Sequence, residues 1–189
     1  MQLFTRRLNS IEIETKNLII RNHIESDWED LYDYLSIPEI YRFEPGEPIT
    51  PEEAKVMTSE RSKSNDFLAV MHKNSKKMIG HLYFHHADPK HFMTWELGYI
   101  FNPKFQNQGY CSESSFAIID YAFKEFKSHK VVAFCNPENT PSWKVLEKIG
   151  MEREGFFKQK AFFRRDENGC PLWHNCYAYG ILNNRSNSE

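Results

Sequence analysis

The chain has 189 residues, 40% of them hydrophobic and 26% charged, with a formal net charge of −2. That length fits one domain with a substantial core, and the composition is that of a globular rather than a disordered protein. The near-balanced charge lacks the basic stripe of a nucleic-acid binder, no apolar run reaches bilayer-spanning length, and the opening MQLFTRRLNS has no apolar stretch of the signal-peptide kind.

Aromatic residues make up 15% of the chain, which points to a well-filled core or a ring-lined cleft. Along the chain, Ile11 to Arg21 reads as one strand, from the spacing of Ile11, Ile13, Leu18 and Ile20. Ser26-Asp27-Trp28-Glu29 has the form of a capping box and opens a helix that buries Trp28, Leu31, Tyr34 and Leu35 and stops before Pro38. Thr50-Pro51-Glu52-Glu53 repeats that signature for a second helix ending near Ser64-Asn65. Phe67 to Met71 and Lys77 to Phe84 form a predicted hairpin around Asn74-Ser75, and Met93 to Phe101 is a further strand.

After a loop over Gln106 to Cys111, Ser112 to Phe126 is a predicted amphipathic helix with Phe116, Ile119, Phe123 and Phe126 on one face. Val131 to Cys135 is an apolar strand of the kind found inside a sheet. Thr140-Pro141 opens a helix that turns Val145, Leu146 and Ile149 inward and ends at Gly150. Phe156 to Arg164 and Cys170 to Leu182 read as a closing hairpin turned at Asn168-Gly169. The sum is a single mixed α/β (α+β) domain over residues 1–189, with a largely antiparallel sheet, one strand–helix–strand crossover and a loose tail over 183–189. Cys111, Cys135, Cys170 and Cys176 form no C-x-x-C pair, so a reduced, cytoplasmic protein is expected.

The segment Gln106-Asn107-Gln108-Gly109-Tyr110-Cys111 carries the chemistry. A loop feeding a helix N-terminus presents unpaired N–H groups and partial positive charge, which suits a diphosphate, and Gly109 lets phosphate approach the backbone. In context this loop, with WELGYIFNPKFQNQGYCSE around it, IETKNLIIR before it and NPENTPSWKVLEKIGMEREG after it, resembles the GCN5-related N-acetyltransferase (GNAT) superfamily, in particular its ribosomal-protein N-terminal acetyltransferase branch. The loop is similar to that family's Q/R-x-x-G-x-G/A pattern, with Cys111 at the last position.

The resemblance implies acetyl-CoA as cosubstrate, its pyrophosphate on Gln106 to Cys111. Its pantetheine would lie between splayed central strands against the main chain near Tyr99, Ile100 and Phe101, with Asn139 contacting the arm and Ser142 near the thioester sulfur. It implies direct attack by a primary amine, for which Glu96 is the candidate proton acceptor, a main-chain N–H near Leu97 or Tyr99 the oxyanion donor, and Ser142 the partner of the leaving thiolate. The acceptor is open between a protein N-terminus and a small amine such as a polyamine, an amino acid or an aminoglycoside, and a non-catalytic acyl-CoA-binding module is the reading from another class. The acidic cluster Glu39, Glu44, Glu47, Glu52 and Glu53 lies in the helix pair that, by the resemblance, covers the acceptor side; it fits either acceptor, or an ordinary solvated surface. Dimers are common in the family, and the sequence fixes no oligomeric state. Plainer roles stand beside these: Glu96 as a solvated strand carboxylate, Ser142 as an ordinary first-turn serine, Asn139 as a turn former. No metal is assigned, because on a straight strand His81 and His85 would stand about 13 Å apart. Asn175 occupies a position where many members of the branch carry Asp.

Overall fold

The computed structural model describes residues 10–184. Among these the chain runs through β1 (Glu12–Glu14), β2 (Leu18–Asn22), α1 (Trp28–Leu35), α2 (Pro51–Arg61), β3 (Phe67–His72), β4 (Met78–His86), β5 (Thr94–Phe101), α3 (Tyr110–Lys124), β6 (Lys130–Cys135), α4 (Thr140–Lys148), β7 (Glu152–Arg165) and β8 (Pro171–Leu182). All the strands belong to one sheet, ordered β1-β2-β3-β4-β5-β6-β8-β7. Every pairing is antiparallel except β5 with β6, which α3 joins as a crossover. This is the mixed, mainly antiparallel architecture expected from the pattern of elements. No helix among the described residues is long and apolar enough to cross a membrane.

Several expected elements are redrawn. The strand expected over Ile11 to Arg21 is two antiparallel strands, because the turn at Thr15 to Asn17 is pulled out to meet α3. Glu113 accepts there from the Asn17 N–H at 2.8 Å and from Thr15 Oγ1 at 2.6 Å. The first capping box is not formed by Ser26 and Glu29, both exposed. Asp27 takes that place, accepting from the Ile24 N–H at 2.9 Å while Arg21 holds both its oxygens. The second box forms as read: Glu53 accepts from the Thr50 N–H at 2.7 Å, and α2 ends at Arg61, short of Ser64.

The predicted apolar face of α3 holds at Ile119, with Phe123 and Phe126 packed against the core, and fails at Phe116. Phe116 is 60% exposed, whereas Ser114, Ser115, Ile118, Ile119 and Ala122 are buried. The sheet presses on the stripe one position back from Phe116, and small residues there let the helix approach closely. At the C-terminal end, Asn183 is buried rather than loose: its N–H donates to the His129 carbonyl and its side chain to the Ser128 carbonyl. Residues 185–189 of the expected tail lie outside the described residues.

The two faces of the sheet are covered by different helices. Leu31, Tyr34 and Leu35 of α1 pack with Ala69 and Met78 on one face. Ile118 and Ala122 of α3 and Leu146 of α4 pack with Leu68, Leu82, Leu97 and Val131 on the other. Gly80 of β4 is required by closeness: a Cβ there would stand 2.6 Å from the Ile100 carbonyl oxygen and 2.8 Å from the Phe101 ring. Gly80→Ala should therefore cost about 1–3 kcal/mol by overpacking. In thermal unfolding that is a fall of roughly 2–4 °C per kcal/mol, and an unchanged midpoint would show that β5 can yield at this point.

Candidate active site

The middle of the sheet opens. β5 and β6 pair only through Thr94–Lys130, Trp95–Val131 and Glu96–Val132, while β6 stays paired with β8 along its length from Lys130–Leu182 to Cys135–Tyr177. β5 stays with β4 as far as Phe101. Beyond Glu96 the two central strands therefore follow different neighbours and part.

Hydrogen bonds at the two ends of the β4–β5 ladder, Ala87 N–H to the Thr94 carbonyl and Asn102 N–H to the Ile79 carbonyl, both 2.9 Å, set its phase. In an antiparallel pair, alternate residues bond the partner. Thr94, Glu96, Gly98 and Ile100 thus spend their main-chain groups on β4, and Leu97, Tyr99 and Phe101 turn theirs towards the gap. The Phe101 carbonyl is met by Gln106 Nε2 at 3.0 Å. The expectation that Tyr99, Ile100 and Phe101 all offer main chain is corrected at Ile100, which lines the cleft without offering backbone to it.

At the open end of this gap lies the N-terminus of α3. Asn107 and Gly109 take left-handed φ values of 58° and 85°, which curls the loop so that successive N–H groups converge. No side chain caps this helix. A Cβ on Gly109 would meet nothing within 4 Å, so its absence serves backbone conformation and open space rather than packing. Gln106, Asn107, Gly109, Tyr110 and Cys111 line a cavity of 440 Å³ here with Phe105 and Val145. Gln108 does not line it; its Nε2 turns back to the Lys104 carbonyl at 3.2 Å. Tyr110 also reaches away, its hydroxyl 3.2 Å from His72 Nε2. Burial pushes the Cys111 thiol up to about 12, which keeps it protonated near neutrality and disfavours the thiolate.

Across the gap, Asn139 caps α4 by accepting from the Ser142 N–H through its side-chain oxygen at 3.3 Å. Its side-chain nitrogen makes no hydrogen bond to the described residues. The Tyr99 hydroxyl donates to the Ser142 carbonyl at 2.9 Å and stands 3.2 Å from Ser142 Oγ. Burial holds the Tyr99 phenol well above its ordinary range, so it remains a neutral hydroxyl tying β5 to α4. Sequence reasoning saw only the main chain of Tyr99; its place between Gly98 and the apolar Ile100 and Phe101 was the available sign of a buried hydroxyl needing a partner.

A second cavity, of 390 Å³, adjoins the first and shares Phe43, Glu44, Tyr99, Asn139 and Ser142 with it. Glu96 lines this one, with Phe134, Lys160, His174 and Asn175. The Asn136 side-chain oxygen accepts from the Glu138 N–H at 2.9 Å, so its nitrogen faces His174 Nδ1, also at 2.9 Å. Nδ1 then accepts and His174 carries its proton on Nε2. Asn175 accepts from the Gln159 N–H at 3.0 Å, pinning an irregular stretch of β7 rather than presenting a carboxylate. Glu44 belongs to the acidic cluster that the sequence offered, and it is placed on the wall of both cavities. Lys160 and His174 were not singled out from the sequence, because register shifts in the hairpin hide them from any alternation rule. The histidines of β4 are spent elsewhere: His81 Nδ1 lies 2.6 Å from the Tyr34 hydroxyl, and His86 stacks on Trp95.

Comparison with known proteins names this arrangement. Residues 17–152 match the family described as Acetyltransferase (GNAT) domain. Over 173 residues the chain is 39% identical to YnaD, an uncharacterized N-acetyltransferase of Bacillus subtilis, covering 91% of this chain and 97% of that one. It is 26% identical over 159 residues to the [ribosomal protein uS5]-alanine N-acetyltransferase of Escherichia coli, covering 78% and 81% respectively. The crystal structure of a GNAT-family acetyltransferase from Bacillus anthracis superposes with a TM-score of 0.83 at 35% identity, over 92% of this chain and 99% of the other. The chain belongs to the GNAT family of N-acetyltransferases.

Two outcomes follow from the local geometry. Iodoacetamide at about pH 8 should modify exposed Cys170 and spare Cys111 in the native protein, because a thiol titrating near 12 is almost all protonated there. Peptide mass spectrometry would read this, and fast labelling of Cys111 would refute the raised thiol. Asn139→Ala should lower stability in urea unfolding by about 1 kcal/mol, with Asn139→Asp retaining most of it.

Proposed function

We propose that this GNAT enzyme transfers the acetyl group of acetyl-CoA directly to a primary amine, and that the amine is the N-terminus of a protein. The observation that carries the reading is the parting of β5 from β6, with Leu97 and Tyr99 main chain turned into the gap beside the uncapped start of α3. An amide-bearing pantetheine arm fits unpaired strand main chain, and a diphosphate fits the converging N–H groups after Gln106. Asn107, Gly109, Tyr110 and Cys111 would hold the diphosphate through main chain, with Gln106 fixing the loop to Phe101 and Gln108 fixing it to Lys104. Ile100 and Phe101 would contribute cavity wall, and the Asn139 side-chain nitrogen a donor to the arm. The four unpaired thiols support a reducing, cytoplasmic setting.

Acetyl-CoA supplies the acetyl group as a thioester. The amine nitrogen forms its bond to the acetyl carbon as the carbon–sulfur bond breaks. Glu96 takes the proton released by the ammonium, directly or through water. A main-chain N–H of Leu97 or Tyr99 meets the developing oxyanion. The Ser142 hydroxyl, held beside Tyr99, rotates to donate a hydrogen bond to the departing sulfur, which takes up the second proton the nitrogen loses and leaves as the thiol. The relation to the uS5-alanine enzyme supports a protein N-terminus as acceptor. A small polycationic amine is the second reading, favoured by Glu39 and Glu44 on the cavity walls.

The test has two parts. At about 100 times its dissociation constant, acetyl-CoA should add about 2.7 kcal/mol of stability, and NAD none. Thiol release with an alanyl peptide and with spermidine then identifies the acceptor class. Glu96→Gln should lower kcat by about a hundredfold or more with acetyl-CoA stabilisation retained. Ser142→Ala should lower it to a smaller degree. Full turnover in both variants would remove these roles, and no stabilisation by acetyl-CoA would overturn the function itself.

A further inference from the structure

The cavity holding Glu96 contains a second carboxylate whose position nothing above explains. Glu44 sits in the irregular segment between α1 and α2 and is part of the wall common to both cavities. Among the described residues no group donates a hydrogen bond to Glu44 and no cation pairs with it. Glu96 has no ion-pair partner either. Both lie on the α1–α2 side of the parted strands, because Glu96 alternates with Leu97 and Tyr99, which face α3 and α4.

A half-buried carboxylate without a partner is costly, and folded chains keep one mainly where a ligand completes it. The groups sharing its cavities do not complete it. Lys144 and Lys148 of α4 line the outer cavity, Lys160 of β7 and His174 and Cys176 of β8 the inner one, and none makes a bond to Glu44. On its other sides stand Glu39 of its own segment, Glu96 and Tyr99 of β5, Cys111 of α3 and Cys135 of β6, all uncharged or anionic.

We propose that Glu44 receives the acceptor as its ammonium ion and positions the nitrogen at the junction of the two cavities, where Glu96 then takes its proton. The inference rests on the transferase reading above and deepens it: Glu44 sets specificity for cationic amines, and its role is positioning rather than proton transfer. Burial raises the carboxyl to about 7, so Glu44 is mostly neutral in mild acid and gains its charge as pH rises through neutrality. The amine stays an ammonium over that span, so attraction for it grows with pH.

The experiment is steady-state kinetics of wild type, Glu44→Gln and Glu44→Asp with an alanyl peptide and with spermidine, between about pH 6 and 7.5, alongside acetyl-CoA thermal stabilisation. In the wild type the acceptor KM should fall severalfold across that range. In Glu44→Gln it should rise about tenfold or more at the upper end and lose that pH dependence, with kcat at saturation and acetyl-CoA stabilisation preserved. Glu44→Asp should restore part of the affinity. An unchanged KM with its pH dependence intact would overturn the role of Glu44 alone, and so would a collapse of kcat at constant KM. Acetyl-CoA stabilisation without turnover of either amine would overturn the transferase reading and this inference with it.

Discussion

Everything in the centre of this molecule follows from the loss of pairing between β5 and β6 after Glu96. Strands with unmet N–H and C=O groups are costly where water is scarce, so such a gap persists only when other contacts hold its two sides apart. On one side β4 grips β5 so closely that only glycine fits at position 80. On the other, β8 grips β6 along its whole length. The Tyr99 hydroxyl spans the opening to Ser142, and its neutral state costs nothing in desolvated charge. The gap is therefore braced from both sides rather than sprung.

Much of this was readable in the residues. The crossover after β5, the capping of α2 at Thr50 and the proline-led start of α4 are local patterns, set by neighbours within a few positions. The family-like loop at Gln106 to Cys111 falls where the cavity forms. What was not legible depends on distant partners. Nothing local announces that Glu113 reaches back to Asn17 and breaks the first strand, or that Phe116 is left facing outward while Ile119 is buried. Ladder phase is likewise a property of two strands, which is why Ile100 could not be told from Tyr99 by its sequence.

The electrostatic design follows the same line. Main-chain N–H groups and the end of α3 offer partial positive charge to the outer cavity, with Lys144 and Lys148 on its wall. The inner cavity places two carboxylates, Glu44 and Glu96, on the opposite face of the sheet from those helices. The charges grade rather than separate, since Glu39 and Glu44 also line the outer cavity and Lys160 the inner one: positive potential gathers at the start of α3, and negative potential at Glu44 and Glu96.

The wall shared by those chambers limits how such a scaffold can diversify. A change of shape at Phe43, Tyr99, Asn139 or Ser142 touches both compartments, so altering the fit of one there disturbs the other. Lys160, His174 and Asn175 touch only the inner compartment and sit on the terminal hairpin, whose strands are largely solvent-facing and whose register already tolerates irregularity. Under the proposed reading, a lineage can rewrite that hairpin to accept new amines while the shared wall and the start of α3 stay as they are.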